Sequence, residues 1–542
     1  MLRPTRATVI VGTLTTLALI VPACQSPKPW DIDEQVGYDY STAPRATVDM
    51  APDALEDADE PIVPDSDEPL TLSVEQAVFL TLQNNRALRI QQYEPQIAGQ
   101  FEQIERSRFD PLLYTDLVYS RARTQQLSPE IGATFDTERE AVGADVGIRQ
   151  RLPTGTELGA ELSHDWLRSD RTPDDQHEAR VGVSLTQALL RGRGRESNLA
   201  AIRQARLDTL ASEYELRGFA EALVADLEVT YWSYVLARRE IEIFDSSLEV
   251  AQQQQRETER RVEVGVLAET ELAAARSEVA LRREELINAR NNAEVLRLQL
   301  LRLMNPGKPQ WERQIDPIEE PTIIDVELDD VNDHVQLALR QRADLNEARL
   351  RLEQRRLDLV RTADGLLPRL DLFVTLGKTG FASAFGRAWE DLDGRGYDLA
   401  VGGQFEYALG NRAARADDRI ARFSRQQASE AVGNVAELVQ LDVRTAWLEV
   451  QRAREQIAAT IATRELREET LRAEQEKFRV GTTTALLVAQ AQRDLLESQI
   501  AEVRAVVTYR QALIDLYRLE GSLLLRRGVE APGAQPRAFN GE

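Results

Sequence analysis

The sequence predicts a mainly α chain with membrane β-strands, built by duplication from two long, coiled-coil-like helical hairpins. Three observations carry this. Arg261 to Leu272 and Lys477 to Val488 are versions of one bend, each with Val-Gly (Val264-Gly265, Val480-Gly481) breaking a long helical pattern that soon resumes. No proline occurs between Pro173 and Pro306 or between Pro368 and Pro532, and these spans are rich in strong helix formers. Before each span the apolar period changes to two, the mark of strands. Glycine suits a point where the chain leaves helical dihedrals, so Gly265 and Gly481 read as hairpin bends.

The 542-residue chain carries a net charge of −24. Residues 31–69 hold thirteen Asp or Glu against the single Arg45, with five prolines, so about half the acidity lies in one segment that reads as a disordered linker. An acidic chain lacks the basic footprint that nucleic-acid binding needs. The three histidines, His164, His177 and His334, are scattered in sequence, so no metal site is expected, and nothing calls for a cofactor.

The N-terminus has Arg3 and Arg6, an apolar run from Thr8 to Pro22 and a small residue before Cys24, the layout of a signal peptide over residues 1–23. The run is short for a membrane-spanning helix. Ile20 to Cys24 resembles a bacterial lipobox, which makes Cys24 the lipidated first residue of a tether over 24–69. Ordinary cleavage leaving a free Cys24 is the alternative. Gln25 rather than Asp after the cysteine resembles lipoproteins sorted to the outer membrane.

The first repeat spans 70–305. Ser73-Val-Glu-Gln76 is a capping box opening a short helix to about Gln83. Asn84-Asn85 interrupts it, and helical periodicity resumes from Ala87 to Arg108. Asp110-Pro111 stops it. Four strands of about ten residues follow, around Leu113–Tyr119, Val146–Leu152, Leu158–Trp166 and Val181–Leu185. That is the length a tilted membrane strand requires. The second and third are separated only by Pro153-Thr154-Gly155, whereas residues 123–141 and 168–178 read as long polar loops. A soluble sandwich is the alternative, but helices of the length that follows suit one poorly. The arm from about 195 to 262 would be about 100 Å long, and the returning arm, 268–304, supplies the partner that its apolar stripe needs.

After a linker at 306–325 the second repeat, 326–524, recapitulates the first, and a disordered tail, 525–542, closes the chain. Helices over Asp329–Gln341 and Ala343–Arg361 lead to Pro368. Pro111 and Leu88 align with Pro368 and Leu345 at an offset of 257, whereas Gly218 and Trp232 align with Gly433 and Trp447 at 215, and Gly265 with Gly481 at 216, so the offset falls by 41 between the proline and the hairpin glycine. The 41 extra residues of the first repeat fit one additional β-hairpin. The second repeat therefore has two strands, Leu370–Leu376 and Leu399–Tyr407, and Gly410 opens its long helix as Gly194 opens the first.

With the repeat in view, the chain resembles the TolC-like outer-membrane efflux protein family, lipoprotein type. The resemblance rests on Ser73 to Ala77, Asn84-Asn85, Phe109-Asp-Pro111 and above all Val264 to Glu271 and Val480 to Leu487, and it covers about residues 70–524. It implies a homotrimer whose strands close one transmembrane β-barrel in the outer-membrane lipid, above a trimeric α-barrel crossing the periplasm. Closure is also required physically, because a few strands cannot satisfy their edges in lipid alone. The resemblance makes the bends periplasmic tips that contact a periplasmic adaptor protein, itself bound to an inner-membrane transporter. Gly265, Val266, Leu267, Glu269, Thr270, Glu271, Gly481, Thr482, Thr483, Thr484 and Leu487 are the candidates; simple solvated turns are the alternative. Family members often carry aspartates after the second tip that ring the aperture. Leu487 and Gln490 occupy those positions here, leaving Glu271 as the acidic aperture candidate. Four strands in one repeat also depart from the family's usual two.

The expected function is a passive export duct working with an adaptor and an energised inner-membrane pump. The duct of a type I protein secretion system and a structural envelope lipoprotein are the alternatives. No Gly-x-Ser-x-Gly elbow, zinc motif or phosphate-binding loop suggests an enzyme.

Overall fold

The structure, a computed structural model, describes residues 69–127, 132, 134–305, 311–323 and 326–530. Cys24, the signal peptide, nearly all of the acidic segment and the last twelve residues lie outside them.

Each repeat has a short helix followed by a longer one, and in the first repeat both are capped by side chains. After β1 (Leu70–Leu72), α1 (Val74–Asn84) has both halves of its capping box: Ser73 Oγ accepts from Gln76 N at 3.2 Å and Gln76 Oε1 from Ser73 N at 3.1 Å. Asn85 ends α1 and starts α2 (Arg86–Arg106), its Oδ1 accepting from Leu88 N at 3.0 Å and its Nδ2 donating to Leu303 O at 2.8 Å. Four antiparallel strands follow: β2 (Leu112–Leu127), β3 (Thr134–Arg151), β4 (Thr156–Ser169) and β5 (Gln176–Ala188). They run to 16, 18, 14 and 13 residues, not about ten, because much of the stretch expected as a loop at 123–141 and both ends of the one at 168–178 are strand. The polar residues there pair across strands, as Arg123 does with Asp136 at 2.8 Å, so low hydropathy disguised the β ladder.

A short helical turn, α3 (Arg195–Asn198), leads into α4 (Ala200–Glu263), which returns as α5 (Glu269–Met304). At 64 residues α4 is about 96 Å long. Within the expected linker, β6 (Ile315–Pro317) pairs in parallel with β1. This small sheet lies on α4, where Tyr231 and Tyr234 donate to Leu72 O at 2.9 Å and Ile315 O at 2.8 Å. Three-residue strands carry too little periodicity to be read from sequence.

The second repeat has α6 (Val331–Gln341), α7 (Ala343–Gly365), β7 (Arg369–Ala382), a loop helix α8 (Phe385–Glu390), β8 (Tyr397–Glu406), α9 (Arg412–Arg479) and α10 (Ala485–Leu519). Tyr407 falls just beyond β8. Gly410 does not take the part of Gly194 (φ +87°); the left-handed residue before α9 is Asn411, at φ +38°. Part of the expected tail is folded: α11 (Leu523–Arg526) packs on α4, and Arg527 donates to both carboxylate oxygens of Glu228 at 2.6 Å.

The six long strands form one sheet in the order β2-β3-β4-β5-β7-β8. Its two faces differ. Leu113, Ile148, Ala160, Val183, Leu376 and Leu399 lie in one cross-strand row, and Leu113, Ile148, Val183, Leu376 and Leu399 are all exposed. The adjoining row on the opposite face reads Tyr114, Gly147, Glu161, Gly182, Gly377 and Asp398. Among the described residues no helix is long and apolar enough to cross a membrane, whereas the sheet has one apolar face and one polar face, as a membrane barrel does.

Candidate functional site

Two regions carry the candidate chemistry: the hairpin tips and the polar face of the sheet. At the first tip α4 ends with Gly265 at φ +74°, and at the second α9 ends with Gly481 at φ +78°. No atom lies within 4 Å of a Cβ built on either, so conformation and not crowding calls for glycine. The turns match bond for bond. Gly265 N donates to Val262 O and Val266 N to Arg261 O, both at 2.9 Å; Gly481 N donates to Phe478 O at 3.1 Å and Thr482 N to Lys477 O at 2.9 Å. The tips lie side by side, with the Arg261 guanidinium 5.6 Å from the centre of the Phe478 ring.

Gly265, Val266, Glu269 and Thr270 are exposed, as are Gly481, Thr482, Thr484, Leu487 and Gln490; Leu267, Glu271 and Thr483 are half-buried. The threonines are not equivalent. Thr482 Oγ1 donates to Lys477 O and Thr483 Oγ1 to Glu474 Oε2, both at 3.1 Å, so these hydroxyls serve their own turn. A hydrogen bond from Lys477, and then that from Thr483, holds the Glu474 carboxyl below its ordinary range. Thr484 precedes α10 without a side-chain cap bond. Sequence reasoning missed the Arg261–Phe478 contact and left Val264 and Val480, 72% and 66% exposed, out of the candidates.

Away from the tips the two hairpins touch again where Arg504 pairs with Glu240 at 2.9 Å and Gln511 donates to Val229 O at 3.2 Å. Between these contacts and the tips lies a cavity of about 680 Å³, lined among others by Arg239, Arg282, Arg464 and Glu502. Its arginines are ion-paired within their own hairpins, Arg282 with Glu278 at 2.6 Å and Arg464 with Glu502.

On the polar face of the sheet, Arg180 reaches Asp398 at 2.9 Å and pairs with Glu161. A Cβ on Gly377 would stand 2.2 Å from the Asp398 carboxylate and one on Gly182 2.6 Å from Arg180 Nη1, so both glycines leave room for side chains lying flat on the sheet. Asp116 and Asp145 adjoin this group. Two histidines on the neighbouring strands β4 and β5 meet: His164 Nε2 lies 3.1 Å from His177 Nδ1, and the His164 ring packs on Phe385 of α8. Among the described residues no cluster of three His, Cys, Asp or Glu could hold a metal ion.

A sheet with one apolar and one polar face, carried by helical hairpins too long for a globular core, defines a wall segment of a membrane duct. Residues 77–306 and 334–522 match the outer membrane efflux protein family, in two blocks that coincide with the two repeats, and the chain belongs to that family. It is a passive outer-membrane channel component and not an enzyme. Its fold class is the family's: hairpins of a trimeric α-barrel joined to strands of a shared transmembrane β-barrel.

Solved structures agree in fold. The outer-membrane channel OprN matches with a TM-score of 0.62 at 19% identity, over 83% of this chain and 90% of that one. The CmeC outer membrane channel of Campylobacter jejuni matches with 0.62 at 17%, over 83% and 86%. The outer membrane protein VceC of Vibrio cholerae matches with 0.61 at 16%, over 83% and 96%. No curated protein matches the sequence.

Proposed function

We propose that three copies of this chain form the outer-membrane duct of a tripartite efflux system, docked by their tips to a periplasmic adaptor and through it to an inner-membrane transporter. The observation that carries the reading is one chain holding both a two-faced sheet with free edges at β2 and β8 and two hairpins ending side by side. Three copies of the six-stranded sheet make eighteen strands, a number that leaves an aqueous channel in a closed barrel. The apolar row favours lipid contact over a non-conducting spacer. Lipidation at Cys24 would add an anchor to the barrel.

In this reading the exposed valines and leucines of the tips, Val264, Val266, Val480 and Leu487, form the apolar part of the adaptor contact. Three copies of Glu271 stand near the aperture and favour cations there. The cavity between the hairpins lets one move against the other, and adaptor binding favours opening only by binding the open arrangement more tightly. The test is conductance of the purified full-length protein in planar bilayers, with and without Glu271→Gln. Steady conductance whose cation preference falls in the variant is expected; a protein that never conducts, tips mutated or not, overturns the duct. Loss of drug or metal resistance on Val266→Asp and Leu487→Asp, at unchanged trimer level, tests docking; unchanged resistance overturns it.

A further inference from the structure

Three arginines fall within five residues, Arg191, Arg193 and Arg195, where β5 runs into α3. The backbone there is held stiffly. Gly192 and Gly194 turn it at φ +78° and +87°, and Gly192 N donates to both carboxylate oxygens of Asp364 at 3.2 and 3.0 Å. Asn198 Nδ2 donates to Gly192 O and Gly194 O, both at 2.8 Å, and to Pro153 O at 3.0 Å. The β3–β4 turn lies so close that a Cβ on Gly155 would stand 2.2 Å from Gly192 O. The three arginines are nevertheless exposed, and among the described residues none of them has an ion pair. Nearby Arg361 and Arg369 do, with Asp358 at 3.4 Å and Asp371 at 2.6 Å. Like charges fixed this close together repel, and a chain of net charge −24 has supplied no carboxylate to answer them.

Their level on the sheet shows where the missing anion would lie. The β5–β7 ladder continues past the strand end, Leu189 N donating to Leu370 O at 2.8 Å and Arg191 N to Pro368 O at 3.3 Å. Arg191 thus follows Val183, Leu185 and Leu189 on the apolar face, one step beyond the row of Leu189, Leu370 and Phe405. Towards the other border of that face, the row of Val181, Lys378 and Tyr397 ends in an exposed tyrosine. Pro368 and Lys378 lie ten residues apart, about 33 Å of strand. At a barrel tilt of about 40° this is about 25 Å along the membrane normal, the height of a barrel's apolar band. Arg191 therefore stands at headgroup level, on the side from which the helices leave.

We propose that Arg191, Arg193 and Arg195 form a site for the phosphate of an anionic phospholipid in the leaflet facing the helices, its acyl chains lying along Leu189, Leu372 and Phe405. Guanidinium groups bind phosphate oxygens through paired, charge-assisted hydrogen bonds. Three cations beside the single carboxylate of Glu196 favour a headgroup of net negative charge over a zwitterion. The adjoining apolar face favours a lipid over free phosphate. The second repeat's junction, Leu409-Gly410-Asn411-Arg412, has one arginine, so each chain carries one such site. The inference rests on the proposed duct and adds the lipid that seats it.

The test is native mass spectrometry of the full-length protein in detergent, with dioleoylphosphatidylglycerol, dioleoylphosphatidylcholine or inorganic phosphate added separately. One phosphatidylglycerol retained per chain, and far less phosphatidylcholine, is expected. At about fivefold per arginine, replacing all three by Gln should weaken phosphatidylglycerol binding about a hundredfold and leave phosphatidylcholine unchanged. Arg191→Lys, Arg193→Lys and Arg195→Lys combined keep the charge and should keep the preference, which separates loss of the site from loss of the fold. Equal retention of the two lipids by the wild type, or a preference that survives the Gln variant, overturns the site. Inorganic phosphate that displaces the lipid at equal concentration overturns the lipid as its ligand. Conductance in planar bilayers keeps the two readings apart: a protein that conducts without lipid preference loses this site alone, and one that holds phosphatidylglycerol but never conducts loses the duct.

Discussion

The two ascending helices descend from one ancestral segment, yet the chain covers them differently. α4 buries 21 of its 64 described residues and α9 only 8 of 68. Leu223 of α4 is 8% exposed, whereas Leu438 at the matching position of α9 is 48% exposed. Trp232 is buried beneath Arg510, whose guanidinium lies 4.0 Å from the ring centre; its counterpart Trp447 is half-buried and donates to Asp329 O at 3.3 Å. The first repeat gains its cover from β1, β6 and the folded C-terminal segment. The second has only α6, α7 and α10. Duplication kept the hairpin and changed what surrounds it.

The repeats also exchange buried charge for apolar packing. Glu228 is fully buried and held by Arg527, while the matching residue in α9 is the equally buried Val443. Arg527→Leu leaves the Glu228 carboxylate buried without that partner, and the expected loss is about 3–5 kcal/mol of unfolding free energy. Adding Glu228→Val copies the second repeat's solution and should recover most of it. Denaturant unfolding of both variants in detergent checks this, and a silent Arg527→Leu would break the comparison.

The tips are where the repeats stayed alike, so substitutions there should behave alike. Gly265→Ala and Gly481→Ala each force a Cβ into left-handed backbone, costing about 1–2 kcal/mol locally. Faster trypsin cleavage after Arg261 and Arg479 reads this out. The two sites should respond equally; a response at one alone would mean that the matched turns are differently constrained.

Much of this architecture was legible because it is periodic. Two glycine bends, two proline-free spans and matched Leu88/Leu345 and Trp232/Trp447 positions survive in a linear string. The four-plus-two strand pattern followed from the 41-residue difference in offset. What escaped notice is non-periodic or encoded in pairs. A strand end such as Arg123 reads as loop because its charge is balanced only by Asp136 on the next strand. The meeting of His164 with His177 depends on β4–β5 register. At the tips, sequence placed the two bends but could not separate hydroxyls bonded into their own turn, Thr482 and Thr483, from Thr484, which makes no side-chain cap bond.

The smallest expected effect concerns the second repeat's own buried pair. His334 bonds Glu520, which is fully buried; the matching residues of the first repeat, Ala77 and Met304, are both buried in one apolar cluster. Burial pushes the Glu520 carboxyl up, but hydrogen bonds from His334 and Ser522 and the nearby charge of Arg526 outweigh it and hold the carboxyl below its ordinary value. A carboxylate lowered in the folded state binds fewer protons than the unfolded chain does. Its contribution is therefore complete above the ordinary carboxyl range, about pH 4.3, and is lost as pH falls through the depressed value. Glu221, buried beside Arg217, is shifted the other way, chiefly by burial, and so gains stability as pH falls towards the same range. Replacing His334 by Ala and Glu520 by Met together should leave stability at pH 7 within about 1.5 kcal/mol, while flattening the decline below pH 4. Unfolding midpoints from pH 7 to 3 measure the difference. An unchanged acid decline would assign it to other carboxylates and leave the His334–Glu520 pair a structural equivalent of Ala77 and Met304, with no pH response of its own.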